Sequence, residues 1–131
     1  MKTLTEREAN QYSPLSLAFL GDCIYEKYVR EHIVLLANTN VSNLHNMSTK
    51  KVCAKFQSLV YEEIIGILTE REVDILKRGR NAKGISSPKN ANIIDYRKAT
   101  AVECLFGYLY LTGNEDRLLE LMNIIWNIEI N

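Results

Sequence analysis

Apolar and polar positions along this chain recur at helical spacing almost throughout. Ser13-Pro14 predicts a helix start: a hydroxyl that can take up a free backbone N–H, then a proline where no N–H is needed. From there Leu15, Ala18, Phe19, Asp22, Tyr25, Glu26 and Val29 fall on one broad face, and the predicted helix runs to about Leu36. "NTN" at 38–40 breaks it. The pattern resumes near Ser42 through Leu44, Met47, Val52, Phe56, Leu59, Val60 and Ile64, with a break placed near Ser48 and an end near Gly66. Thr69-Glu70-Arg71-Glu72 is a capping box that opens a short helix over Val73, Leu76 and Lys77. "GRNAKGISSPKNANI", residues 79–93, is the one long run of helix breakers, and loops of such length in compact domains are usually functional or disordered. A further helix is expected from about Asp95 to Gly113, and Asn114 caps a last one from Glu115 to about Ile128. With no period-two alternation, the expected fold class is all-α, one helical domain over residues 1–131.

Composition narrows the class. At 131 residues the chain suits one domain with a proper core, and its 47% hydrophobic and 24% charged content is that of a soluble globular protein. No apolar run approaches the length of a membrane span, and the polar N-terminus is no secretory signal. Cys23, Cys53 and Cys104 lack metal-ligand spacing and read as reduced core residues, which points to a cytoplasmic chain with no membrane partner. His32 and His45 have no partner spacing and read as surface or capping residues, and most tyrosines read as core. Net charge is zero, but Lys77, Arg78, Arg80, Lys83, Lys89, Arg97 and Lys98 crowd one window opposed only by Asp95, giving it about +6. Such a window either contacts a polyanion or is an ordinary solvated loop.

Two carboxylates stand out against apolar surroundings: Asp22 in "LAFLGDCIY" and Glu103 in "ATAVECLFGYLYL". Burying an ionised carboxylate costs several kcal/mol unless something compensates it. Gly21 adjoins the first and Gly107 lies one turn beyond the second, as expected where two helix backbones cross closely. A crossing there would bring Asp22 and Glu103 within reach of one divalent cation, magnesium or manganese, able to activate water and offset charge on a phosphate. The plainer account of either acid is a rim position or a salt bridge. Glu26, one turn from both Asp22 and Arg30, reads by default as an i,i+4 ion pair with Arg30.

"LAFLGDCIYE" together with "ATAVECLFGYLYLTGN" resembles the paired signatures of the ribonuclease III catalytic domain, similar to "LEFLGDxxL" and "DxxEAxxGAxYL" respectively. The intervening "GRNAK…PKN…YRKATAVE" looks like the Mini-ribonuclease III branch, which has the nuclease domain without a double-stranded-RNA-binding domain. The resemblance covers essentially the whole chain. It implies an all-α homodimeric endoribonuclease that cuts double-stranded RNA with Mg²⁺ (Mn²⁺ substituting), leaving 5′-phosphate and 3′-hydroxyl ends. It also implies a dimer interface along the first signature helix and, as substrate, the precursor of large-subunit (23S) ribosomal RNA. Asp22 and Glu103 match catalytic, metal-holding carboxylates of the two signatures, whereas Ala18 and Thr100 stand where the larger family has two more. Waters or Glu26 would fill part of that gap. Lys83, Lys89 and Arg97 are the expected RNA contacts, with Arg80 as readily structural as RNA-binding, and the Lys83 and Lys89 side chains are expected to sit away from the metal. The rival readings are a catalytically weak or inactive RNA-binding module on the same fold, and a phosphohydrolase of small phosphates.

Overall fold

The computed structural model describes residues 3–85 and 87–129. Among the described residues seven α-helices follow in order: α1 (Glu6–Ala9), α2 (Pro14–Leu36), α3 (Val41–Val52), α4 (Ala54–Ile64), α5 (Glu70–Arg80), α6 (Ile93–Leu111) and α7 (Glu115–Trp126). A 3₁₀ turn at Ile65–Ile67 separates α4 from α5, and no strand forms among the described residues. The all-α expectation holds.

Local chemistry explains most of the boundaries. Ser13 Oγ accepts from the Leu15 and Ser16 amides, starting α2 where the sequence placed it. The Thr69–Glu72 capping box forms with both reciprocal bonds, 2.9 and 3.1 Å. A second such box, Thr5 with Glu8, builds the short α1 that periodicity did not predict. Asn92 Oδ1 accepts from the Ile94 and Asp95 amides, so α6 starts at Ile93, two residues before the expected Asp95. The break expected near Ser48 falls instead at Cys53, whose extended backbone ends α3 and starts α4. That break leaves the Lys51 carbonyl without a helical partner, and the buried Tyr25 hydroxyl donates to it at 2.7 Å.

Helix α6 is the axis of the molecule. It packs against α2, α4, α5 and α7, and between Ala99 and Leu109 every residue except Glu103 is buried. Leu17, Tyr25, Val29 and Ile33 of α2 close over it, with the Tyr25 and Phe106 rings edge to face at 5.3 Å between centroids. Each such side chain contributes about 1.5–3 kcal/mol by leaving water. Helices α2 and α6 cross backbone against backbone: a Cβ at Gly21 would stand 1.6 Å from the Glu103 carbonyl oxygen, and one at Gly107 2.0 Å from that of Leu17. Gly79 does the same for α5, where a Cβ would lie 2.7 Å from that of Cys104. Arg117 of α7 grips Glu72 with two bonds, 3.0 and 2.9 Å, tying the start of α5 to α7. Among the described residues no helix is long and apolar enough to cross a membrane.

Candidate active site

The glycine crossing places Asp22 and Glu103 together. They line one shallow cleft of about 190 Å³ with Ala18 and Thr100, one helical turn before each. The two positions where the larger family carries further carboxylates therefore open onto the same space. Tyr96 and Phe19 form part of the walls, and Gly84 and Ile85 of the α5–α6 loop complete them. That loop thus reaches the site through Gly84 and Ile85, whereas Lys83 and Lys89 are not among the lining residues. Gly84 takes a positive φ of 84°, a conformation that favours glycine.

Asp22 itself is exposed, and Glu103 is half-buried. The apolar run around Asp22 is not all core, because α2 keeps an outward stripe of Phe19, Asp22, Cys23 and Lys27. Phe19 is 85% exposed. Cys23 and Cys53 are likewise exposed rather than core residues, and only Cys104 is buried. Periodicity alone could not separate an outward apolar residue from an inward one.

Glu103 carries the electrostatic signature of the site. Burial, then the negative charge of Asp22 and a hydrogen bond shared with it, push its carboxyl up to about 8. Without a cation Glu103 is therefore mostly protonated at neutral pH. The side-chain amide of Gln57 lies beside Glu103 and partly counters that rise, yet neither of its polar atoms reaches a partner in hydrogen-bond geometry. Tyr25, on the same side, is held as a neutral phenol by burial, reinforced by Cys53 and Glu103. Gln57 does not stand out from the sequence as a site residue. Its signal is a lone amide in the buried stripe Gln57, Val60, Tyr61 and Ile64.

Among the described residues no group of three or more His, Cys, Asp or Glu gathers in metal-holding geometry. Two carboxylates facing one open cleft do suit a hard cation such as Mg²⁺, which keeps several waters and is commonly held by one or two carboxylates plus substrate phosphate. Glu26 does not join them; it pairs with Arg30 at 3.0 Å.

The basic window divides in two. Arg97 donates to the Arg80 and Ala82 carbonyls at 3.2 and 3.3 Å, satisfying the end of α5. Arg80 donates to the Tyr61 hydroxyl at 2.8 Å and to Asn81. Both nevertheless line a second cleft of about 370 Å³ with Lys98, which pairs with Glu62. Lys83 and Lys89 are exposed, with Lys83 next to the cleft-lining Gly84. His32 is a surface residue whose ring lies tilted against that of Trp126, centroids 3.7 Å apart, and His45 is also exposed.

The class of protein is given by a family match: the Ribonuclease III domain family matches residues 15–114, which include the α2–α6 crossing and both carboxylates. The chain is 47% identical to a Mini-ribonuclease 3 of Brevibacillus brevis over 88% of its own length and 87% of that protein's. It is 44% identical to the Mini-ribonuclease 3 of Staphylococcus aureus, over 88% of each chain. A crystal structure of protein FN1578 from Fusobacterium nucleatum superposes with a TM-score of 0.79 at 38% identity, covering 88% of this chain and 92% of that one. The chain belongs to the Mini-ribonuclease III branch of the ribonuclease III family, and so is an endoribonuclease of the class that acts on double-stranded RNA.

Proposed function

We propose that this chain is, over its whole length, one catalytic domain that works as a homodimer, cutting double-stranded RNA with Mg²⁺ held by Asp22 and Glu103. The observation that carries the reading is the raised proton affinity of Glu103 beside Asp22 in an open cleft: a carboxylate pair whose mutual repulsion a divalent cation would relieve. When bound, Mg²⁺ (or Mn²⁺) supplies a water of lowered pKa and offsets charge on the scissile phosphate. Ala18 and Thr100, lacking carboxylates, leave room in the cleft for waters and for that phosphate. The neutral Thr100 hydroxyl donates back to the Tyr96 carbonyl at 3.0 Å. Lys83 and Lys89 stand free to meet backbone phosphates, and Arg80 and Arg97 form the floor from which the loop rises.

The outward stripe of α2, where Phe19 and Cys23 are exposed, fits an interface with a second copy that would align two such clefts along one duplex. The substrate we assign is the paired stalk of 23S ribosomal RNA precursor, to be checked by mapping RNA ends in cells lacking the protein. The deciding experiment for the site is Asp22→Asn, in which the amide keeps the shape and removes a metal-binding charge. Cleavage of duplex RNA in Mg²⁺ should disappear while folding and duplex binding persist. Wild-type single-turnover rates in the variant would remove Asp22 from the mechanism. Binding without cleavage by the wild-type chain would instead favour an inactive binding module.

A further inference from the structure

Helix α4 turns Phe56, Val60, Tyr61 and Ile64 into the core, and Gln57 goes with them at 1% exposure. Its Nε2 and Oε1 are both buried without a hydrogen-bond partner. An orphaned buried polar group costs about 1–3 kcal/mol, and a methionine or leucine at this position would avoid the cost entirely. Tyr25 does not rescue it as a donor, since its hydroxyl hydrogen goes to the Lys51 carbonyl. What Gln57 does lie beside is the carboxyl of Glu103, the one residue between Ala99 and Leu109 that is not buried.

We propose that Gln57 is a positioning residue: its amide N–H donates to the Glu103 carboxylate when the pair holds its cation, fixing which oxygen faces Asp22. The inference rests on the metal reading of the cleft. In the cation-free chain the amide lies next to the Glu103 carboxyl but short of hydrogen-bond geometry. An ionised carboxylate has about four acceptor positions, so an oxygen given to a cation leaves the other in need of a donor. A neutral amide supplies that donor without cancelling the charge the cation needs, as arginine or lysine would. Partners of this kind, behind the ligand, typically set metal affinity about 10–100-fold.

The test uses Gln57→Met and Gln57→Leu in the full chain. Mn²⁺ binding is measured by electron paramagnetic resonance without RNA, beside wild type and Asp22→Asn, and thermal unfolding is followed in chelator. Both variants should unfold at or above the wild-type temperature, because an orphaned amide has been replaced by an apolar group. Their Mn²⁺ affinity should nonetheless fall about tenfold or more, with a matching rise in the Mn²⁺ needed for half-maximal cleavage. Wild-type Mn²⁺ affinity in either folded variant, alongside its loss in Asp22→Asn, overturns the role of Gln57 and leaves the metal reading standing. A wild-type chain that binds no Mn²⁺ overturns both. Lower unfolding temperature with unchanged Mn²⁺ affinity makes Gln57 a purely structural residue and overturns the proposal as well.

Discussion

At the scale of single residues, Glu103 converts geometry into pH dependence. Its carboxyl goes from 4.5 to about 8 on folding, so between those values the native state binds more protons than the unfolded one. Stability of the cation-free chain should therefore fall as pH rises through that window. Glu103→Gln removes the titration. In chelator at pH 8 the variant should unfold roughly a few degrees above wild type, with the gap closing toward pH 4.5. Divalent cation should raise the wild-type unfolding temperature at pH 8 and leave the variant unmoved, and the variant should not cleave. Calorimetry across pH with and without Mn²⁺ checks the stability predictions and a duplex-RNA cleavage assay the last; a flat wild-type profile in chelator would contradict the raised Glu103 carboxyl. The prominence of Asp22 and Glu103 was legible because a charge in an apolar helical stripe is a local anomaly. Gln57 shows the same anomaly in a weaker form, and its meaning depends on what α6 presents opposite, which no local pattern specifies.

At the scale of elements, the α2–α6 crossing decides whether the site exists. At Gly21 the added Cβ would strike backbone of α6, which cannot swing aside as a side chain can. Gly21→Ala should therefore cost at least the upper end of the usual overpacking range, about 3 kcal/mol, and pull Asp22 away from Glu103. Gly66→Ala, where a Cβ meets nothing within 4 Å, is the matched control and should shift stability by less than about 0.5 kcal/mol. Urea unfolding of the two variants makes the comparison, and equal losses would mean that close approach is not what Gly21 provides. The α5–α6 loop poses a different question. If Lys83 and Lys89 meet phosphates, neutralising both should weaken duplex binding and reduce the log–log salt slope by roughly 0.9 for each phosphate no longer neutralised. Because Gly84 and Ile85 line the cleft, a change in the chemical step is also expected for Lys83, less so for Lys89. Unchanged affinity and slope would return the window to an ordinary solvated loop.

At the scale of the whole molecule, the open question is what meets the outward face of α2. Phe19, 85% exposed beside the carboxylate cleft, is costly to leave in water and marks where a second copy would seat. Phe19→Asp should convert a dimer to monomer by analytical ultracentrifugation at micromolar concentration while leaving helicity intact. Cleavage of both strands of one duplex in a single encounter should be lost with it. A wild-type monomer that still cuts both strands would place the second cut elsewhere.

The sequence by itself determined what is local. Helical spacing, the Ser13-Pro14 start, the Thr69–Glu72 box and the breakers after Gly79 are read within a turn or two of chain, and the structure places them where the pattern did. The glycine crossing was also legible, because glycine inside an apolar helix weakens that helix unless a neighbouring backbone needs the space. Tertiary structure decided the rest. It moved the α3–α4 break to Cys53, where the freed Lys51 carbonyl meets Tyr25 from another helix. It turned Arg97 inward onto the end of α5 and left Lys83 and Lys89 outside, although all three are equally basic in sequence. It set Asp22 and Glu103 on one open cleft with a buried amide beside Glu103. Periodicity records only that a residue lies on a face. Which element covers that face, and which polar group stands opposite, is fixed by contacts between residues far apart in the chain.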